Sequence, residues 1–253
     1  MRTRGSPELH GLKPVSRALA LLPLVALALS APAAAARPPD PPEADPLSDE
    51  RTYTSWAHSK VTAPIRRRPM PGSATIARVR HLTGDGSPEV YLILRRWSDP
   101  EDRTWLKVRV PMRPNGRTGW VRDTALGRLH LVRSLLVVDR PGRSATLYES
   151  GRRIWRSQIG IGAPGTPTPA GRFWIRERLK VADPLGTYGP WAFGTGGYSR
   201  LSDWPGGGVI GIHGTDQPDL IPGRPSHGCI RVPNHSIRQL ARLMPIGTPV
   251  WVR

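Results

Sequence analysis

Proline and glycine interrupt this chain so often that long helices are disfavoured along most of its length. Its 253 residues include 29 Pro and 27 Gly. Proline fixes φ and lacks the amide hydrogen that a helix needs, whereas glycine favours turns over regular elements. Nine Trp and a hydrophobic content of 38% supply material for a packed core. The composition therefore predicts a loop-rich, mainly β protein, long enough for one large domain or two small ones.

The N-terminal 36 residues have the three-part pattern of a secretory signal peptide. Basic residues precede an apolar run at 18–29, and an alanine-rich tract follows with Ala34-Ala35-Ala36 as the cleavage site. An uncleaved membrane anchor is the alternative, but two prolines and the weak hydrophobicity of alanine disfavour it. We therefore expect residues 1–36 to direct export to the cell wall or periplasm, followed by a proline-rich, extended linker at 37–51.

The charge of the chain is strongly basic, with a formal net charge of +18. Such a charge raises nucleic acid, anionic membranes and anionic polymers as partners. Only four of the 37 basic residues are lysines, and the arginines are scattered instead of clustered. Because the predicted signal peptide places the protein outside the cell, we expect no nucleic-acid ligand and retain anionic wall polymers as partners.

Short β-rich segments separated by turn residues fill the region 52–128. The strand candidates are 75–82, 90–94, 105–110 and 119–122, and Asn115-Gly116 suits a tight hairpin. A small barrel of about five strands would close them. The segments PIRRRPMPGS, WLKVRV and NGRTGWV resemble a bacterial SH3-like domain. That resemblance implies a wall-binding or positioning module; a barrel that only packs beside the next domain is the alternative.

Further strand candidates and one helix are predicted from residue 131 to the C-terminus. The strands are SLLVVDR, ATLYES, RIWRSQIGIG, FWI and VWV. The stretch 183–208 is rich in Gly, Pro and aromatic residues, and it is expected to form an irregular binding loop. Ile237, Leu240, Ala241 and Met244 have helical spacing, with Asn234 as the expected N-cap.

The single cysteine, Cys229, lies in the sequence Ser226-His227-Gly228-Cys229, and His213 is sixteen residues upstream. One cysteine cannot form an intramolecular disulfide, which favours a chemical role. An imidazole that takes the thiol proton would make Cys229 a nucleophile. Gly228 permits a sharp turn, so that the N–H groups of residues 228 and 229 could face an oxyanion.

Two other interpretations of these residues stay open on the sequence alone. His213, His227 and Cys229 could bind zinc, although their spacing matches no paired-ligand motif. Cys229 could also be a buried, inert side chain. For the nucleophile hypothesis, proximity in sequence favours His227 as the base.

The sequence HGTDQPDLIPGRPSHGCIRVPN resembles the signature of the L,D-transpeptidase (YkuD-like) catalytic domain. The upstream segments GTPTPAGRFWI and YGPWAFG extend this resemblance over 131–253. It implies a β-sandwich with a short helix near the active site. It also implies Cys229 as nucleophile, His213 as base and no metal or organic cofactor. Supporting residues would be Ser226, His227, Gly228 and Arg231, with the backbone of Gly214 orienting His213.

The implied reaction is acyl transfer on peptidoglycan stem peptides. Cys229 would attack the amide before the terminal D-Ala of a tetrapeptide stem, and a neighbouring stem would accept the acyl group in a 3→3 cross-link. Water or a D-amino acid could replace that acceptor. β-Lactams of the carbapenem class are the implied inhibitors. Two alternatives are a non-catalytic wall-binding scaffold and a zinc-dependent wall amidase or peptidase.

Overall fold

The computed structural model describes residues 40–41, 43–203 and 205–253. The predicted signal peptide at 1–36 lies outside the described residues. Everything described below belongs to one compact unit of the chain, 39–253. Within this part of the chain, no helix is long and apolar enough to cross a membrane.

The first sheet contains eight antiparallel strands. They are β1 (Asp45–Pro46), β2 (Thr54–His58), β3 (Pro64–Arg66), β4 (Thr75–Arg78), β5 (Val90–Ser98), β6 (Thr104–Arg109), β7 (Thr118–Arg122) and β8 (His130–Val132). The hydrogen-bonded order is β4-β3-β7-β6-β5-β2-β8, and β1 pairs with β5. All four predicted strands are confirmed, but the sheet has eight strands where about five were predicted. The β6–β7 hairpin turns at Asn115-Gly116, where Gly116 has a φ of +84°.

The described part of the predicted linker is folded onto this sheet. β1 pairs with β5, and the carboxylate of Asp40 forms ion pairs with Lys107 and Arg95. Glu50 binds Arg109 through two hydrogen bonds of 2.6 and 2.7 Å. The prediction of an unfolded linker is therefore wrong for these residues, because the acidic side chains that suggested solvation have basic partners on the sheet.

The described part of the C-terminal region, 134–252, contains two further sheets, one α-helix and two 3₁₀ helices, Pro205–Gly208 and Pro218–Leu220. The elements are β9 (Ser134–Asp139), β10 (Ser144–Glu149), β11 (Arg152–Gln158), β12 (Gly160–Gly162), β13 (Gly171–Trp174), β14 (Leu179–Lys180), β15 (Trp191–Tyr198), β16 (Val209–His213), β17 (Gly223–Ser226), β18 (Ile230–Arg231), α1 (Asn234–Leu243) and β19 (Pro249–Val252). One sheet has the order β11-β10-β9-β19-β13, and the other β14-β15-β16-β18-β12-β17.

These two sheets share one core, as expected for a sandwich. Leu136 from the five-stranded sheet and Phe193 and Ile212 from the six-stranded sheet are fully buried in the same apolar cluster. The helix α1 adds Ile237 and Leu240 to it, which confirms its predicted apolar face. Each such side chain contributes roughly 1.5–3 kcal/mol by leaving water. The core thus fixes the six-stranded sheet, in which β18 directly follows the cysteine.

A glycine-rich strand replaces the irregular loop that was expected over part of 183–208. Residues 191–198 form β15, which is paired with β16. A Cβ on Gly196 would lie 2.3 Å from the ring of Trp174, and one on Gly197 would lie 2.7 Å from Phe173. Glycine is required here because the strand backbone packs directly on two aromatic rings, a use of glycine that composition alone does not reveal.

The first sheet is joined to the C-terminal region by buried polar contacts. Arg176 binds Glu89 through two hydrogen bonds of 2.7 and 2.5 Å, with side chains 3% and 0% exposed. The indole of Trp174 donates to the carbonyl of Val90 at 2.8 Å. Asn115, in the β6–β7 hairpin, exchanges two hydrogen bonds with the backbone of Tyr198.

Candidate active site

Parallel pairing between β16 and β18 brings the two halves of the predicted motif together. Ile212 is opposite Ile230 and His213 is opposite Arg231, and Cys229 immediately precedes β18. These strands border a cleft of about 470 Å³, part of it open to solvent. The cleft is lined by Thr187, Tyr188, Ser199, Gly208, Val209, Ile210, His213, Ser226, His227, Cys229 and Arg231.

Cys229 is partly buried at the base of this cleft. Its Sγ accepts a hydrogen bond from the Gly211 N–H at 3.3 Å and lies 4.0 Å from the carbonyl oxygen of Val209. Burial raises the pKa of the thiol, and this outweighs the opposing effects of the Gly211 N–H and the Arg231 charge. The thiol is therefore protonated at neutral pH, and it needs a base before it can attack.

His213 has a fixed tautomer. Its Nδ1 lies 2.6 Å from the carbonyl oxygen of Gly214, and because a carbonyl can only accept, Nδ1 carries the hydrogen. The carbonyl of Gly214 thus lies where the sequence predicted a backbone group that orients the ring. The remaining nitrogen, Nε2, is an acceptor whenever the ring is neutral.

The environment of His213 keeps its imidazole neutral. The side chain is 4% exposed, and the ring of Tyr188 meets it edge-on with centroids 4.9 Å apart. Burial lowers the pKa of His213 to about 4, although the bond to Gly214 opposes the shift. A neutral imidazole beside a protonated thiol is the pair that general-base activation requires.

The position of Gly211 shows that the side chains of Cys229 and His213 both approach the same side of β16. A Cβ on Gly211 would lie 3.7 Å from Sγ of Cys229 and 3.7 Å from Cδ2 of His213. Both side chains line the same cleft. A side chain at 211 would therefore contact both groups.

The side chain of Ser226 holds the turn at 226–229 in place. The hydroxyl of Ser226 donates to the carbonyl of Cys229 at 2.6 Å and accepts the N–H of Gly228 at 3.2 Å. Gly228 has a φ of +126°, which confirms its need for glycine. Its N–H is already bonded, so the prediction that this group faces an oxyanion is wrong for the conformation seen here.

The other predicted residues have different positions in the cleft. His227 lines it but is exposed, whereas His213 is buried. Arg231 donates from Nη1 to Oε1 of Gln217 at 2.8 Å. Its Nε is buried and has no hydrogen-bond partner among the described residues. This places an incompletely bonded guanidinium at the wall of the cleft.

Several residues that position the site were not singled out by the sequence. Asn234, expected to cap α1, accepts the N–H of Thr215 at 2.9 Å through Oδ1. Pro233 has the N-cap position, with no side-chain cap bond. Thr168 donates to the carbonyl of Gly228 at 2.8 Å. Tyr188 covers His213. The segments GTPTPAG and YGP, which contain Thr168 and Tyr188, were recognised only as parts of a family resemblance.

No metal cluster accompanies these residues. In the described ranges, no three His, Cys, Asp or Glu side chains are arranged to hold a metal ion. His213, His227 and Cys229 therefore do not form the zinc-ligand set that the spacing left open.

The part of the chain that matches known proteins coincides with the C-terminal region. Residues 133–252 match the YkuD family model, which describes the L,D-transpeptidase catalytic domain. Two curated proteins named "Putative L,D-transpeptidase YkuD", from Bacillus licheniformis and Bacillus subtilis, are 34% and 32% identical over 117 residues. Each alignment covers 46% of this chain and 64% of the relative.

Solved structures give matches of similar extent. An Enterococcus faecium L,D-transpeptidase, crystallised as a cysteine-to-serine mutant, is 30% identical over 47% of this chain and 49% of its own, with a TM-score of 0.38. The avibactam carbamoyl enzyme of the L,D-transpeptidase Ldtfm is 29% identical over 47% and 48%, with a TM-score of 0.37. The sequence match to the family model confirms the predicted resemblance of residues 133–252 to the YkuD-type L,D-transpeptidase catalytic domain.

Proposed function

We propose that this protein is an exported peptidoglycan L,D-transpeptidase that forms 3→3 cross-links through a cysteine acyl-enzyme. The observation that carries the proposal is that a neutral His213, with Nδ1 bonded to Gly214 and Nε2 left as an acceptor, lines the same cleft as the protonated Cys229. A pair of this kind activates a nucleophile without a cofactor. The segment that contains both residues matches the family model.

In the first half-reaction, Nε2 of His213 takes the thiol proton of Cys229. Sγ then bonds to the carbonyl carbon of the L,D-amide in the donor stem peptide. The C–N bond breaks, and the proton on His213 passes to the amine of the departing D-Ala. A thioester on Cys229 and a neutral His213 remain.

In the second half-reaction, the side-chain amine of the diamino acid in a neighbouring stem attacks the thioester. His213 removes a proton from this amine, the C–S bond breaks, and the proton returns to the thiol. The new amide is the 3→3 cross-link. Water or a D-amino acid in place of the amine would give hydrolysis or exchange by the same steps.

Negative charge in both half-reactions develops near Arg231. Its charge lowers the pKa of the neighbouring Cys229 thiol, so it favours a thiolate at that position. Because Ser226 already holds the N–H of Gly228, we assign the larger electrostatic role to Arg231 and a shaping role to Ser226. His227 lies at the exposed rim, where it can contact the substrate.

The remaining parts of the chain are assigned as predicted from sequence. Residues 1–36 would be the export signal, with retention as an anchor as the alternative. Residues 52–128 would be an SH3-like domain. The buried contacts of Glu89 and Asn115 with the C-terminal region favour a positioning role for this domain over that of a freely tethered binding module.

Covalent modification of the thiol tests the proposed function. The full chain is incubated with a carbapenem or with a tetrapeptide muropeptide, and its intact mass is measured. We expect one adduct per chain in the wild type and none in Cys229→Ala. His235→Ala, in an exposed histidine on α1, serves as the control and should be modified as the wild type is.

Two results would replace this proposal with an alternative. Binding to sacculi that survives Cys229→Ala, with no adduct in the wild type, would indicate a wall-binding scaffold. Stoichiometric zinc, with hydrolysis that a chelator abolishes, would indicate a metallopeptidase.

A further inference from the structure

A second recess lies beside the cysteine cleft, where the first sheet meets the C-terminal region. It measures about 1250 Å³, part of it open to solvent. Its walls are the hairpin 113–115, the loop 167–170, the segment 198–200 and Arg140. Ser199 lines both this groove and the cysteine cleft, so the two recesses are adjacent.

Three arginines make this groove basic. Arg113 donates to the carbonyls of Ser199, Leu201 and Gly207, and Arg140 donates to the carbonyl of Thr168. A carbonyl fixes a guanidinium in place but does not neutralise it. None of the ion pairs found among the described residues includes Arg113, Arg140 or the exposed Arg200. The groove thus has positive charge that no carboxylate side chain pairs with among the described residues, and such charge attracts anions.

The groove is also linked to the cysteine turn by hydrogen bonds. The carbonyl that Arg140 binds belongs to Thr168, at 3.0 Å. The hydroxyl of the same threonine donates to the carbonyl of Gly228, next to Cys229. A molecule lying in the groove is therefore separated from the cysteine turn by the single loop 167–170.

We infer that this groove binds free carboxylates of the peptidoglycan strand whose stem peptide occupies the cysteine cleft. The inference rests on the proposed function and adds a substrate subsite to it. Guanidinium groups pair with carboxylates in a planar, two-pronged geometry, and the groove has room for more than one residue. Because it adjoins the cleft through Ser199, its occupant is expected to be continuous with the molecule that reaches Cys229.

The test measures binding without turnover. The full chain with Cys229→Ser is titrated calorimetrically with a disaccharide tetrapeptide. Adding Arg140→Gln and Arg200→Gln to this parent should weaken muropeptide binding about tenfold. Rising salt should weaken binding to the parent but not to the variant that also carries the two arginine changes. Arg152→Gln removes an exposed charge on β11 and should leave the affinity unchanged.

A second measurement does not depend on the folding of the variants. The parent protein is titrated with the same ligand after its carboxylates have been converted to carboxamides, and the same loss of about tenfold is expected. Equal affinity for both ligands would overturn the inference. Binding of a glycerol-phosphate polymer that depends on Arg140 and Arg200, with no such dependence for the muropeptide, would also overturn it and assign the groove to a phosphate polymer.

The outcomes separate this inference from the proposed function. If wild-type Cys229 forms no adduct while muropeptide binding still depends on the two arginines, the transpeptidase proposal fails and the groove stands. If Cys229 is acylated while muropeptide binding does not depend on either arginine, the inference about the groove fails and the transpeptidase proposal stands.

Discussion

The first sheet and the C-terminal sandwich differ in which strands they pair. All strand pairs of the first sheet are antiparallel, and β5, β6 and β7 follow one another through short turns. The sandwich includes three parallel pairs, β9 with β19, β16 with β18 and β12 with β17. Parallel neighbours require long connections, so such pairs bring together residues that are distant in sequence. His213 and Arg231 become neighbours in this way.

The comparison also shows how the two regions depend on each other. The sandwich contains the cysteine cleft, but the hairpin between β6 and β7 of the first sheet holds part of the wall of that cleft in place. Arg113 binds the backbone of the segment 199–207, and Ser199 and Gly208 from this part of the chain line the cleft. The first sheet thus supports the site structurally.

The largest effect is expected from the base, in the sandwich. His213→Ala should lower the acylation rate of Cys229 about a thousandfold, because the protonated thiol then has no fixed proton acceptor. Stopped-flow measurement of carbapenem acylation checks this, with His235→Ala as the control. An acylation rate within a few-fold of wild type would mean that His213 is not the base. A variant of His227 would then be the next one to measure.

The buried ion pair between the two regions should have the next largest effect. Arg176→Met leaves the carboxylate of Glu89 buried without its main partner and should lower the free energy of unfolding by about 3–5 kcal/mol. The exposed pair of Arg96 with Asp45 is the matched control, and Arg96→Met should cost under about 1 kcal/mol. Urea denaturation measures both. Equal costs would mean that the regions are not joined through this pair.

The low pKa of His213 predicts a loss of stability in acid. The folded protein holds this imidazole neutral down to about pH 4, whereas the unfolded chain binds a proton near pH 6.5. Between these values the unfolded state binds more protons, so the free energy of unfolding should fall as the pH falls, by about 3 kcal/mol in total. His213→Gln should flatten this slope in urea titrations between pH 7 and 4. If the pH dependence of the free energy of unfolding is unchanged in His213→Gln, other titrating groups cause the loss of stability.

The smallest effect is expected from the hairpin that supports the cleft. Arg113→Ala should slow acylation about tenfold, because the segment 199–207 loses hydrogen bonds to three of its carbonyls. Arg117→Ala, an exposed change on the same hairpin, should have no effect. If both variants react as the wild type does, the first sheet does not support the site.

Local patterns predicted those elements whose stability depends on their own sequence. The strands around Val90 and Leu136 and the apolar face of α1 at Ile237 and Leu240 were correct, because burial follows the period of a strand or helix. The strand at 191–198 was missed, because its glycines are fixed by the rings of Trp174 and Phe173, which pack against them in the fold. Asn234 was assigned to the helix, but its amide is used by Thr215 across a loop.

The sequence by itself determined that a lone cysteine, two histidines and a glycine turn form one motif of the L,D-transpeptidase type. It also determined that Gly214 could orient His213 only through its backbone. The tertiary structure decided which groups act together: it buried His213 and left His227 exposed, and it joined the first sheet to the cleft through Arg113. The reason is physical, since burial, tautomer and charge compensation are set by neighbours that parallel strands and domain packing bring from distant parts of the chain.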